Sequence, residues 1–521
     1  MKTNHLLIVL VLLPALLLAG CGAKETAPLT VPEGAQAGDL TGLKDCEFQA
    51  HGKKFGAECG TLFVPENWDK ADSRLIALPV VRIPSSGSDP AEPVFFLEGG
   101  PGGPNIVWAP PAWILKNHDV VMVGYRGVEG TVKLSCPELL KALNAHRGND
   151  MFSEQAHSEY VAATKQCATR IQNEGVDIMG YSMPGVIEDM EATRIALGYD
   201  RINLFSESYG TRLAQLYTYR RPESLHRLVL LGVNTPGHFI WTPEDNDKLL
   251  EHMSELCAKD PSCSSRTSDL VQTMHNVNHN MPTRWLFFNI DPDSVRYGTH
   301  LLFFGNSNMT PVLDAYLAAE EGDPSGLALM TLLMKYVPFT PVLGDQLAKG
   351  GSADLDRYQG LESVRLGNSV MGAPLSEFIW SLAQAWPIEL IPQDLRELQE
   401  TDVEMLLVNG TVDFSTPPTN MEEAKPYYRK AQFVLLPEYS HVGDLTGLQP
   451  AALERLVTSY YDTGVADDSL YVYQPISFKP GISFRTMAKL LVAALIVLPA
   501  LVIWGVVSVV RRLRRRRTAN R

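Results

Sequence analysis

Basic residues are scarce in this sequence until its last eleven positions. Lysine and arginine total 45 against 59 aspartates and glutamates. Seven of those arginines fall within residues 511–521, so the preceding chain carries a formal charge of about −21. A surface of that sign repels phosphate backbones, which need lysine and arginine to neutralise them, and nucleic acid is excluded as a partner. Cysteine is sparse too, at seven in 521 residues, and no Cys/His cluster has zinc spacing. No G-K-[S/T] follows the glycine run Glu98-Gly99-Gly100-Pro101-Gly102-Gly103, which excludes a phosphate-binding loop. Internal repeats and low-complexity segments are missing as well. Neither a metal nor a cofactor is expected. What is present is an ordinary globular balance, 45% hydrophobic and 20% charged, long enough for one domain with an insertion or for two domains.

The two ends carry their own signals. After Lys2, an apolar run over 6–18 leads to Leu18-Ala19-Gly20-Cys21, the pattern of a secretory signal over 1–20. A cysteine placed after Leu-Ala-Gly resembles the bacterial lipobox, which implies lipid modification at Cys21. Residues 21–45 are mostly small, polar and broken by Pro and Gly, and read as a flexible tether. At the other end, 488–510 reads as a transmembrane helix. Its 490–510 stretch has no charge, and the arginine-rich tail 511–521 follows directly. That length crosses a bilayer, and the arginines place its end in the cytoplasm. The expected location is the bacterial inner membrane, with the part between the two ends on the periplasmic side. Six cysteines remain (Cys46, Cys59, Cys136, Cys167, Cys257 and Cys263), an even number that suits disulfides in an exported chain. Their pairing is open from sequence; sequence neighbours are the working expectation.

Between the ends, β-rich runs at 61–64 and 75–83 suggest an opening antiparallel pair. Short apolar runs at 94–97, 120–123, 202–206 and 228–231 then alternate with helical patterns at 184–198 and 211–220. Strand–helix alternation argues for a parallel sheet with helices on both faces. The alternation lapses over 238–390, where helical patterns and clustered aromatics prevail, and resumes with 405–408 and 433–436. The expected layout is an α/β core over 46–237, a helical cap over 238–390 and the rest of the core over 391–470.

Ser206-Glu207-Ser208-Tyr209-Gly210 lies between a predicted strand and a predicted helix. A serine on such a turn stands exposed above the sheet. Its hydroxyl needs a base to take the proton and a carboxylate to orient that base. Asp413 follows the 405–408 strand and His441 follows the 433–436 strand, both at carboxyl ends of strands, where catalytic groups collect. Ser208, Asp413 and His441 are therefore the expected triad. The oxyanion formed on attack needs backbone N–H donors, for which Gly100 and Tyr209 are placed.

The motifs EGGPGG, GYRGVEG, ALGYDRINLFSESYGTRLAQLY, NGTVDFSTPP and LPEYSH, with the opening CGTLFVPENW, together resemble α/β-hydrolase exopeptidases. The resemblance is to prolyl iminopeptidases and, more nearly, to bacterial tripeptidyl-aminopeptidase-like proteins, over roughly 46–470. It implies the α/β-hydrolase fold, the same triad and oxyanion donors, a cap that shapes the pocket, and release of residues from the N-terminus of short peptides. The chain departs from the family at Glu98, Gly124, Ser206 and Ser440, where histidine, aspartate, glycine and glycine are common. An aminopeptidase also needs carboxylates for the substrate ammonium; Glu98, Glu244, Asp245, Glu320 and Glu321 are the candidates. Two rival readings stand: an esterase, lipase or amidase acting on envelope compounds, and a non-catalytic binding protein on the same scaffold.

Overall fold

The computed structural model describes residues 29–337, 340–357 and 360–519; the signal segment 1–20 and Cys21 lie outside them. Nine strands form one sheet: β1 (Leu40–Ala50), β2 (Lys53–Pro65), β3 (Leu75–Ile83), β4 (Val94–Leu97), β5 (Val120–Val123), β6 (Ile202–Glu207), β7 (Leu225–Leu231), β10 (Glu404–Gly410) and β11 (Ala431–Leu436). Two further strands, β8 (Arg284–Trp285) and β9 (Phe288–Asn289), make a separate small hairpin. The large sheet runs in the order β1-β2-β3-β5-β4-β6-β7-β10-β11. From β1 to β5 the pairings are antiparallel, and from β5 to β11 they are parallel.

The sequence explains the central strands. VFFL in β4 and VVMV in β5 are buried along their whole length, as expected of parallel strands covered on both faces. On one face Phe95, Leu97, Ile202 and Leu204 join a core with the helices Pro137–His146, Glu154–Asn173, Met183–Ala196 and Tyr209–Arg220. On the other, Trp108 stacks against both Phe96 and Phe205, with ring centroids 4.5 and 5.0 Å away, and the three pack toward the helix Pro450–Thr463.

The expected tether ends sooner than the sequence suggested. Residues 40–45 belong to β1, which pairs with β2 through a turn at His51-Gly52. β1 is the edge of the sheet, so most of its residues keep a solvent-facing, polar character that reads as linker. The Cys46–Cys59 disulfide ties this hairpin together. Cys136–Cys167 and Cys257–Cys263 complete the set, so all three join sequence neighbours.

Between β7 and β10 lie helices that include Pro243–Lys259, Leu270–His279, Pro292–Leu302, Asn306–Glu320, Ser325–Tyr336, Leu343–Gly351 and Pro374–Ala383. The first five build a core of their own, whereas Leu343–Gly351 and Pro374–Ala383 bury their apolar sides in the sheet's core. The chain ends in the helix Phe484–Ala519, of which 484–513 is long and apolar enough to cross a membrane. Only its first turns are covered, with Phe484 and Ala488 buried.

The Cys136–Cys167 bridge pins the helix Glu154–Asn173 against the start of Pro137–His146 and closes a 31-residue separation. Loop-closure entropy of that size is worth about 3–4 kcal/mol. Replacing both cysteines by serine is expected to lower the midpoint of denaturant unfolding. The other two bridges, which close shorter loops, should each have a smaller effect when removed in the same assay.

Candidate active site

Ser208 sits between β6 and the helix Tyr209–Arg220 at φ 51°, ψ −121°. A non-glycine residue reaches that left-handed backbone only when its surroundings hold it there. Its N–H donates to the Leu231 carbonyl at 2.9 Å, and its own carbonyl accepts from Thr211 Oγ1 at 2.6 Å. The turn has no spare room. A Cβ on Gly210 would meet the Leu97 carbonyl oxygen at 2.1 Å, and one on Gly99 would meet Ser208 Cβ at 2.8 Å. Ser206 fits where glycine is common because its buried hydroxyl donates to the Val229 carbonyl at 3.1 Å.

Asp413 is fully buried beyond the end of β10. Its Oδ1 accepts from the Ser415 and Thr416 N–H groups at 2.8 and 2.9 Å. Its Oδ2 accepts from Thr416 Oγ1 at 2.7 Å and faces His441 Nδ1 at 2.8 Å. The acid and histidine loops press together, since a Cβ on Gly410 would lie 1.9 Å from the Tyr439 carbonyl oxygen. With Nδ1 held by Asp413, Nε2 is the ring nitrogen left for a serine proton. The ring lies near Ser208 through Gly232, where a Cβ would come within 2.7 Å of His441 Cε1; Gly232 directly follows Leu231, the acceptor for Ser208 N–H. Among the described residues no hydrogen bond joins Ser208 Oγ to the imidazole. Such bonds often tighten only when substrate is bound. Ser440 replaces the common glycine without disturbing the loop, its hydroxyl donating to the Phe303 carbonyl at 2.9 Å.

Gly99, Gly100, Ser208 and Tyr209 line one cavity of about 500 Å³. The Gly100 and Tyr209 N–H groups donate to nothing among the described residues, and Tyr209 opens its helix, where backbone N–H groups favour negative charge. The cavity walls are apolar, with Phe239, Trp241, Tyr297, Phe304, Phe378 and Ile379 prominent; Arg147 is the one charged side chain lining it among the described residues.

Two residues that the sequence did not flag hold the glycine run. Asp345 Oδ2 accepts from the Gly102 N–H at 3.0 Å, and the Gly102 carbonyl accepts from Val342 N–H at 2.8 Å. Asp345 is paired with Lys349 at 2.6 Å, both wholly buried. Lys349 also donates to the Arg126 carbonyl at 3.2 Å. In sequence they are an ordinary i,i+4 pair, indistinguishable from a pair on an exposed helix. The only hint was glycine, since a Cβ on Gly127 of GYRG would meet Asp345 Oδ1 at 2.5 Å.

The carboxylates proposed for a substrate ammonium are scattered. Asp245 accepts from Thr242 Oγ1 at 2.7 Å in a helix cap beside Glu244, Glu320 accepts from Asn276, and Glu321 pairs with Arg266 at 2.8 Å. None of the four lines the cavity. Glu98 stays close, its carboxylate accepting from the Gly99 N–H at 2.8 Å. Beside it is Glu207, which the sequence reading passed over as the variable residue of the serine motif. Leu97 and Ser206 are partners in the β4–β6 register, so the next residues, Glu98 and Glu207, emerge side by side next to Ser208. Burial first and the Glu98 charge second push the Glu207 carboxyl up to about 8. Burial also raises Glu98, against the Gly99 N–H, which lowers it.

With this geometry in place, the comparisons with known proteins fall on the same residues. A family model described as alpha/beta hydrolase fold matches residues 92–257, and one described as TAP-like protein matches 373–469. This chain has the α/β-hydrolase fold. The first match holds the glycine run and Ser208, and the second holds Asp413 and His441. The serine protease Hip1 of Mycobacterium tuberculosis is 29% identical over 201 residues, 35% of this chain and 37% of that protein. The tripeptidyl aminopeptidase of Streptomyces lividans is 26% identical over 207 residues, 37% of this chain and 38% of that one. The aligned region thus spans well under half the length of these relatives.

Ionisation of Glu207 through about pH 8 adds a negative charge beside the donors meant for an oxyanion. That charge opposes the charge developing on attack. The rate of fluorophosphonate labelling is therefore expected to bend downward above about pH 8. The bend should be absent in Glu207→Gln, measured on the full chain in detergent.

Proposed function

We propose that this protein is a serine peptidase that removes one or a few residues from the free N-terminus of short peptides. The observation that carries the reading is the buried Asp413 carboxylate held 2.8 Å from His441 Nδ1, on the same rim as a serine kept at φ 51°. Ser208 attacks the scissile carbonyl, and His441 takes its proton and later delivers it to the leaving amine, so that an acyl-enzyme forms and is then hydrolysed by water. Asp413 holds the imidazole tautomer and steadies the imidazolium. The Gly100 and Tyr209 N–H groups receive the oxyanion. Glu98, which accepts from the Gly99 N–H beside Ser208 and has Glu207 at its side, is the carboxylate assigned to the substrate ammonium although it does not line the cavity, and the apolar cavity takes side chains. The names of the two relatives support peptide substrates and an N-terminal cut.

The same proposal places the protein on a membrane. The helix over 484–513 anchors it, with Cys21 as a lipid-modified second anchor and the arginine tail in the cytoplasm. Three disulfides support an oxidising compartment for the catalytic part. The helical segment 238–390 acts as the cap over the site.

Full-length protein in detergent should be labelled by a fluorophosphonate, and Ser208→Ala should abolish labelling. Asp413→Asn is expected to slow it by about 10³–10⁴-fold, since the amide selects the wrong tautomer. Tripeptidyl amides should be cleaved and their N-acetylated forms spared. Equal turnover of both forms would replace the exopeptidase reading by that of a general esterase or amidase, and an unlabelled wild type would sink the enzymatic reading.

A further inference from the structure

The β8–β9 hairpin carries an apolar tip that the rest of the chain leaves bare. Leu286 is 58% and Phe287 65% exposed, although both flanking aromatics are at least partly covered. Leu286 also sits at φ 53°, a backbone region where glycine or asparagine costs less. A bulky apolar residue held there, 58% exposed among the described residues, points to a surface outside the chain.

The position of the hairpin identifies that surface. Trp285 and Phe288 share a small cavity with Leu329, Leu332, Ala488 and Leu491. Ala488 is buried, Leu491 and Val492 are half-buried, and the apolar residues from Leu495 to Leu498 are exposed, so the hairpin docks where the C-terminal helix leaves the folded body. Gly326 lies against Arg485 and Leu332 against Leu491, so the helix Ser325–Tyr336 runs alongside in the same direction. Tyr336, 70% exposed, therefore ends on the side toward which the apolar helix continues. Arg284 and Lys335, both exposed and without ion pairs among the described residues, bring positive charge to the same level. Aromatics, bare aliphatics and basic side chains at the depth where a span begins are what a headgroup–acyl boundary takes up.

We propose that the Leu286–Phe287 tip inserts into the interface of the bilayer that the C-terminal helix enters, giving the folded body a second membrane contact and a fixed tilt. The inference rests on the reading that this helix spans a membrane. The test uses the full chain in nanodiscs of phosphatidylethanolamine and phosphatidylglycerol, with single cysteines carrying an NBD fluorophore at Phe287→Cys, Leu286→Cys, Val497→Cys or Ile195→Cys. Val497 lies within the apolar helix, and Ile195, 62% exposed, sits on the sheet's own helix Met183–Ala196. The six body cysteines are paired, and a chain without added cysteine corrects for label at Cys21. Lipid with a nitroxide near the top of its acyl chain should quench positions 286, 287 and 497, move their emission to shorter wavelength, and leave 195 unchanged. Quenching at 497 with solvent-like emission at both 286 and 287 would overturn the inference. No quenching at 497 would overturn the spanning reading, and the inference with it.

Discussion

The site depends on backbones approaching more closely than any side chain permits. Ser208 keeps its left-handed conformation because β4, the glycine run, the helix after the serine and the loop after β7 all close on it. Gly210, Gly99 and Gly232 occupy the contacts where a Cβ would collide with the Leu97 carbonyl, Ser208 or His441. Gly410 does the same where the acid loop crosses the histidine loop. Five separate stretches of sequence thus meet at these contacts, and glycine is the device that lets them meet. The hydroxyl, imidazole and carboxylate are then placed by the scaffold, not by their own contacts alone.

That dependence explains what was legible in the sequence. β3, β4 and β5 were readable to the residue because each is a short run of β-formers ended by glycine, proline or polar residues. The three residues proposed as a triad stood out because each follows such a run. β1 was not, because an edge strand with one wet face has the composition of a linker until its pairing with β2 is seen. Glu207 escaped because a motif treats its position as variable, and only the β4–β6 register sets it beside Glu98. The cap carboxylates misled for the converse reason. Acidic residues on helices look alike whether they face a cavity, cap a helix or pair with a neighbouring arginine, and Asp245 and Glu321 do the latter two.

The electrostatic layout of the cavity follows from the same placement. Its walls are apolar, Arg147 supplies a cation, and the two glutamates emerge beside the serine without lining the cavity. A low-dielectric wall strengthens the field of every charge near it. Burial raises both Glu98 and Glu207, the Glu98 charge adds to the rise at Glu207, and Glu207 therefore changes charge at about 8, close to the range where Ser208 would act.

The Asp345–Lys349 pair shows what the insertion contributes beyond a roof. Burying two charges costs several kcal/mol per ion before their attraction repays it, and a well-packed apolar pair of the same volume is often as stable or more so. Stability alone is thus a weak reason for a salt bridge here. Position is a stronger one. Asp345 is the acceptor for Gly102 N–H, two residues from the proposed oxyanion donor Gly100, and Lys349 fixes that carboxylate while bonding the Arg126 carbonyl behind it. An apolar pair would fill the volume but leave Gly102 N–H buried without an acceptor, at about 1–3 kcal/mol, and free the glycine run to relax. The insertion therefore sets the shape of the loop that faces the reacting atoms, and the core of the fold does not complete its own site.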